Sequence, residues 1–142
     1  NDNYLKFRSK MFPLILSKFK NIVVVSNWRA KIKFKFYKHV KVGDNFIKSY
    51  QNELSSKLNI LINIPLDSIV LCSASSLTNI LGYKLYLLRP DLTFLDVGTS
   101  LNDLFSLQND TRIYHKLLNQ FKNYPKPLKF LNLLINDLLI KW

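Results

Sequence analysis

Cysteine is nearly absent: Cys72 is the one thiol in 142 residues. That excludes an internal disulfide framework and any multi-cysteine zinc site. Histidine is scarce as well. His39 and His115 lie far apart in sequence, so neither a His-based metal site nor a Ser–His–Asp or Cys–His catalytic set is expected. The three glycines (Gly43, Gly82 and Gly98) are few for an enzyme that cradles phosphate in a Gly-rich loop. No apolar run reaches the roughly 18 residues that an ordinary membrane-spanning helix needs. The longest candidate, 128–142, is interrupted by Lys129, Asn132, Asn136 and Asp137. No secretory-signal pattern is present. The chain opens on Asn1 rather than Met, and is expected to be processed, partial or read from an unusual start.

Acidic residues are also in short supply, 9 against 21 Lys and Arg, for a net charge of +12. Apolar residues make up 48% and aromatics 13%, so the chain is a folding sequence with a real core, of a length for one domain. The charge is segregated. Residues 1–41 carry 11 Lys/Arg and one acid, residues 42–110 four Lys/Arg and seven acids, and residues 111–142 six Lys/Arg and one acid. Two basic ends flanking an acidic middle suit a protein lying on a polyanion, where each neutralised phosphate releases counterions. A solvated basic surface is the plainer reading of the same pattern. Heavy use of Lys, Asn, Ile, Phe and Tyr is what an AT-rich genome forces, and hints at an organelle, a parasite or a virus.

Local patterning gives an element order. Tyr4 to Lys20 carries apolar residues near the 3.6 period, with Pro13 a blemish that suggests a helix start. Residues 21–26 form a β-branched run suited to a buried parallel strand. Arg29, Lys31, Lys33 and Lys35 then alternate with Ala30, Ile32, Phe34 and Phe36. On a strand, this puts the cations on one face and the apolar groups on the other. Lys38 and Lys41 extend the basic supply. Lysines that guard an edge strand against aggregation give the same pattern. Phe34 and Phe36 are expected in the core, and Tyr37, on the lysine face, is the better candidate for stacking on a base. Gly43-Asp44-Asn45 reads as a turn, and 46–58 as a helix. Residues 68–72 read as a strand, 77–88 as a helix that Ser76 could cap, and 92–97 as a strand. Helices are expected over 112–121 and 128–141. The order predicts an α/β fold with a mainly parallel sheet: residues 1–124 form an α/β domain with a basic N-terminal region, and 125–142 a C-terminal helical extension, whose apolar helix, Leu128 to Leu139, could dock on a neighbouring protein.

Three further constellations stand out. Asp96, with Gly98 and Thr99, closes a strand; a hydrogen-bonded turn is the favoured reading over a sugar or metal contact. Ser73-Ala-Ser-Ser76 opens a helix, as a weak phosphate site would. Thr111-Arg-Ile-Tyr-His115 puts the Arg112 guanidinium, the Tyr114 phenol and the His115 imidazole on one turn of helix, which suits phosphate contact; a surface helix with Tyr114 half-buried reads equally well. Cys72 in an apolar strand reads as inert core.

Residues 67–110 resemble the C-terminal part of the universal small-subunit ribosomal protein two family. Leu66-Asp67-Ser-Ile-Val-Leu71 stands for a first strand, Arg89-Pro90 precedes a second that Asp96 ends, and Asn109-Asp110 opens a helix. Val23-Val-Val-Ser-Asn-Trp28 is similar to that family's Trp-ending strand, although the glycine pair after the Trp is replaced by Ala30-Lys-Ile-Lys-Phe34. The resemblance implies a Rossmann-like α/β sheet, no catalytic activity, no cofactor or metal, ribosomal RNA and neighbouring ribosomal proteins as partners, and an organellar, mitochondrial setting. The residues expected to meet RNA are Arg29, Lys31, Lys33, Lys35, Tyr37, Lys38, Lys41, Arg112 and Lys116. Leu71-Cys-Ser-Ala74, Leu95-Asp-Val-Gly-Thr-Ser100 and Thr111-Arg-Ile-Tyr114 resemble GT-D-type glycosyltransferases instead, with Ser75 where those have Gly. That resemblance implies transfer of a sugar from a nucleotide-sugar donor. The charge distribution favours the ribosomal reading.

Overall fold

A computed structural model describes residues 2–44 and 47–107. The chain divides into two compact units, one of residues 1–15 and 108–142, the other of residues 16–107. In the first unit, the described residues are helical: α1 (Asp2–Lys6) is followed by a π-helical turn (Phe7–Met11), after which α2 (Phe12–Lys18) begins. The π turn has a local cause. Pro13 has no N–H to donate, and just before it the Phe12 N–H bonds the Phe7 carbonyl, five residues back. The helical stretch expected here runs without a gap over residues 2–18, and Pro13 marks a π turn just ahead of it rather than a helix start. The helices expected over 112–121 and 128–141 lie outside the described residues.

The second unit is a four-stranded sheet, all parallel, in the order β2-β1-β3-β4. Its strands are β1 (Ile22–Asn27), β2 (Lys38–Val42), β3 (Ile69–Ser73) and β4 (Thr93–Asp96). α3 (Tyr50–Leu61) and α4 (Ser76–Leu88) lie between them in sequence. The Val-rich run of β1 is buried throughout because β1 is an inner strand, paired in parallel on both edges. Val23, Val25, Val40, Val42, Val70 and Cys72 share one face and pack with Leu54, Leu61, Leu77, Leu81 and Leu85 of α3 and α4. On the other face Val24 and Leu71 are also fully buried. This is the expected α/β, Rossmann-like, parallel sheet with helices.

One element differs from its pattern. Residues 29–36, expected as a basic strand, are instead part of an irregular crossover between β1 and β2, and the strand forms at Lys38–Val42. Parallel neighbours cannot be joined by a tight turn, so some length of chain must return to the start of the sheet, and here the alternating segment is that length. Its alternation survives in part: Lys31, Lys33 and Lys35 are exposed while Ile32 and Phe34 are half-buried. Phe36, expected in the core, is 41% exposed.

Candidate nucleic-acid interface

The strand order places a topological switch between β1 and β3. The chain leaves β1 toward β2 and returns to build β3 and β4 on the other side. Open parallel sheets bind ligands beyond the strand ends at such a point. Here those ends carry Asn27, Trp28 and Arg29 after β1, Asp44 after β2, Ser73 to Ser76 after β3, and Asp96 to Gly98 after β4.

Asp44 organises the β1–β2 edge of this rim. Its carboxylate accepts from Asn27 Nδ2 at 2.8 Å and from Trp28 Nε1 at 3.0 Å, and it pairs with the Arg29 guanidinium. These three donors hold its carboxyl well below the usual range, at about 2. Arg29 also lies 5.6 Å from the Trp28 ring centroid, in cation–π range. Nearby on β1, Ser26 Oγ and His39 Nε2 stand 2.9 Å apart. Burial and the charge of Lys41 push the His39 imidazole below its ordinary value.

At the β3–α4 junction the chain turns sharply at Ser75, which sits at φ 52°, ψ −136°. Ser76 does not cap the helix. Ser75 is the N-cap and its side chain makes no capping bond. The Ala74 N–H is satisfied instead by Thr78 Oγ1 at 3.0 Å. Burial pushes the Cys72 thiol up to about 12, as expected of inert core. Asp96 Oδ1 accepts from the Gly98 N–H at 2.9 Å, the turn arrangement favoured on sequence.

The crossover is held by its backbone. Lys31 N–H and Lys33 N–H donate to the carbonyls of Phe105 and Leu104 at 2.8 and 2.9 Å, and Tyr37 N–H to Ile22 at 2.7 Å. The Phe34 and Phe105 rings lie 6.3 Å apart. Lys31, Lys33 and Lys35 therefore stand on a fixed segment, and none has a carboxylate within salt-bridge distance among the described residues. Lys38 and Lys41 are exposed on β2, an edge strand. Strand alternation puts them on opposite faces of the sheet, so they do not form a single row with the crossover lysines. Arg29 faces Asp44 and is partly neutralised. Tyr37 is 54% exposed. Arg112, Lys116 and the rest of 111–115 lie outside the described residues. Sequence reasoning missed the Asp44 clamp, whose only signal was an Asn-Trp-Arg run after a strand and a Gly-Asp pair after the next. Among the described residues no cluster of three or more His, Cys, Asp or Glu could hold a metal, and no helix is long and apolar enough to cross a membrane.

The parallel 2-1-3-4 sheet with its helices defines the class: a Rossmann-like α/β protein. Comparison with protein-family models, with curated proteins and with solved structures finds no match.

Proposed function

We propose that the protein is a non-catalytic constituent of the small ribosomal subunit, of mitochondrial type, that lies on ribosomal RNA phosphates. The observation that carries this reading is the β1–β2 crossover: Lys31, Lys33 and Lys35 exposed, without carboxylate partners among the described residues, on a backbone pinned at both ends. A pinned segment loses little freedom on binding, and cations without internal partners are available to release counterions. Such contacts position a protein on RNA without reading sequence. Residues 1–41, where most of the excess charge lies, supply the long-range attraction.

The test is the salt dependence of binding to unrelated single-stranded RNA. The full chain is expected to show a steep log–log slope, shallower by about 2 when Lys31, Lys33 and Lys35 are all changed to Glu, from roughly 0.7 per phosphate contact. A flat slope in the parent chain overturns RNA binding. Absence of the chain from purified mitochondrial small subunits overturns the ribosomal assignment.

One observation favours a second reading. Ser75 adopts a backbone conformation that favours glycine, at the position where GT-D-type glycosyltransferases carry Gly. If the protein were such an enzyme, UDP- or GDP-sugar would raise its melting temperature and Asp96→Ala would abolish the shift.

A further inference from the structure

At the end of the sheet opposite the switch-point rim, the crossover returns to the start of β1. The Tyr37 N–H bonds the Ile22 carbonyl at 2.7 Å and so brings residues 35–37 against the segment that follows α2. A cleft of about 460 Å³ opens there, lined by Phe19, Lys20, Asn21, Lys35, Phe36 and Tyr37 among others. Its volume is in the range of small-ligand sites. Two of its aromatic side chains are largely outside the core, Phe36 at 41% and Tyr37 at 54% exposure. The residues lining the cleft thus include three aromatics, an asparagine and two lysines, and no Asp or Glu among the described residues.

We propose that this cleft receives one unpaired base of single-stranded RNA, stacked on the exposed Tyr37 ring, with the flanking phosphates on Lys20 and Lys35. The inference deepens the RNA reading above and rests on it. Every base has a π-face, so aromatic side chains in a basic groove hold a single strand with little regard to sequence. An apolar peptide would use the rings but leave two ammonium groups without partners. A duplex would use the lysines, but its bases are already paired and stacked. An unpaired nucleotide uses both. Asn21 offers a donor and an acceptor to the base edge. The sequence motif Lys33-Phe-Lys-Phe-Tyr-Lys38 marks half of this cleft; the other half comes from Phe19 and Lys20, which only the fold brings near.

The experiment uses the full chain, a short oligouridylate carrying one central 2-aminopurine, and a duplex of equal length. Binding of the single strand is expected to change the 2-aminopurine emission by stacking. Tyr37→Leu is expected to remove that change and weaken binding about tenfold, Tyr37→Phe to preserve both, and duplex affinity to stay as it was. Tyr83→Leu on α4, at 65% exposure and away from the cleft lining, serves as the control for an exposed tyrosine. Unchanged emission and affinity in Tyr37→Leu, with a steep salt slope intact, would overturn the base pocket and leave the phosphate reading standing. Loss of RNA binding by the parent chain would overturn both. Binding of 2-aminopurine riboside monophosphate as tight as that of the oligonucleotide would reassign the cleft to a free nucleotide.

Discussion

Asp44 and Ser75 are surface residues on loops, yet each is tightly specified. Asp44 collects donors from Asn27, Trp28 and Arg29, and its pKa falls to about 2. A carboxyl whose folded pKa lies below its unfolded value stabilises the fold above the unfolded pKa, near 4, and that contribution is lost as pH drops toward 2. The Trp28 indole N–H resonance reports this directly and is expected to titrate with a midpoint near 2; a midpoint near 4 would mean that the clamp does not hold in solution. Ser75 stores strain instead. At φ 52°, ψ −136° a Cβ is unfavourable, which costs on the order of 1–3 kcal/mol. Because its side chain makes no capping bond, Ser75→Gly has little to lose. It is expected to raise urea-unfolding stability by about 1 kcal/mol.

The elements show why pattern and packing must both be weighed. α4 approaches β4 so closely that a Cβ on Gly82 would stand 2.8 Å from the Phe94 ring. Alanine gains about 1 kcal/mol of helix propensity but incurs about 1–3 kcal/mol of overpacking. Gly82→Ala is therefore expected to lower the thermal midpoint, and Phe94→Leu in the same chain to recover it. A rise in midpoint for Gly82→Ala alone would place the ring elsewhere. The α3 and α4 ends are also tied: the Arg89 guanidinium donates to the carbonyls of Ile62 and Ile64 at 2.7 and 3.0 Å while its Nε and Nη2 meet Asp91 at 2.7 and 2.8 Å. Arg89-Pro90 was legible as a helix end. That the arginine closes a second helix was not, because its partners lie more than twenty residues upstream.

Over the whole molecule, charge and fold separate. The core is Val, Leu and Ile on the sheet and its helices, while Lys31, Lys33 and Lys35 stand outside it without internal partners among the described residues. Changing all three to Glu is expected to move unfolding stability by no more than about 0.5 kcal/mol per site, since exposed side chains away from caps and pairs contribute little. A circular-dichroism melt checks this. A collapse of the melt would show that the crossover lysines support the fold, and would remove the binding test its meaning.

The sequence by itself determined the α/β class, the buried β1 and β3, the helix α4 with its Arg-Pro end, and the lopsided charge. Each is a local matter of period, β-branching or turn chemistry. It misplaced the second strand because residues 29–36 alternate as a strand does, while Lys38–Val42 is short and half-cationic. Two parallel strands need chain between them, and pairing with β1, not local pattern, selected which residues became ladder and which became crossover. Only tertiary structure gathered three donors on Asp44, and only it set Phe19 and Lys20 beside Tyr37, because these contacts span fifteen or more residues and no short-range periodicity encodes them.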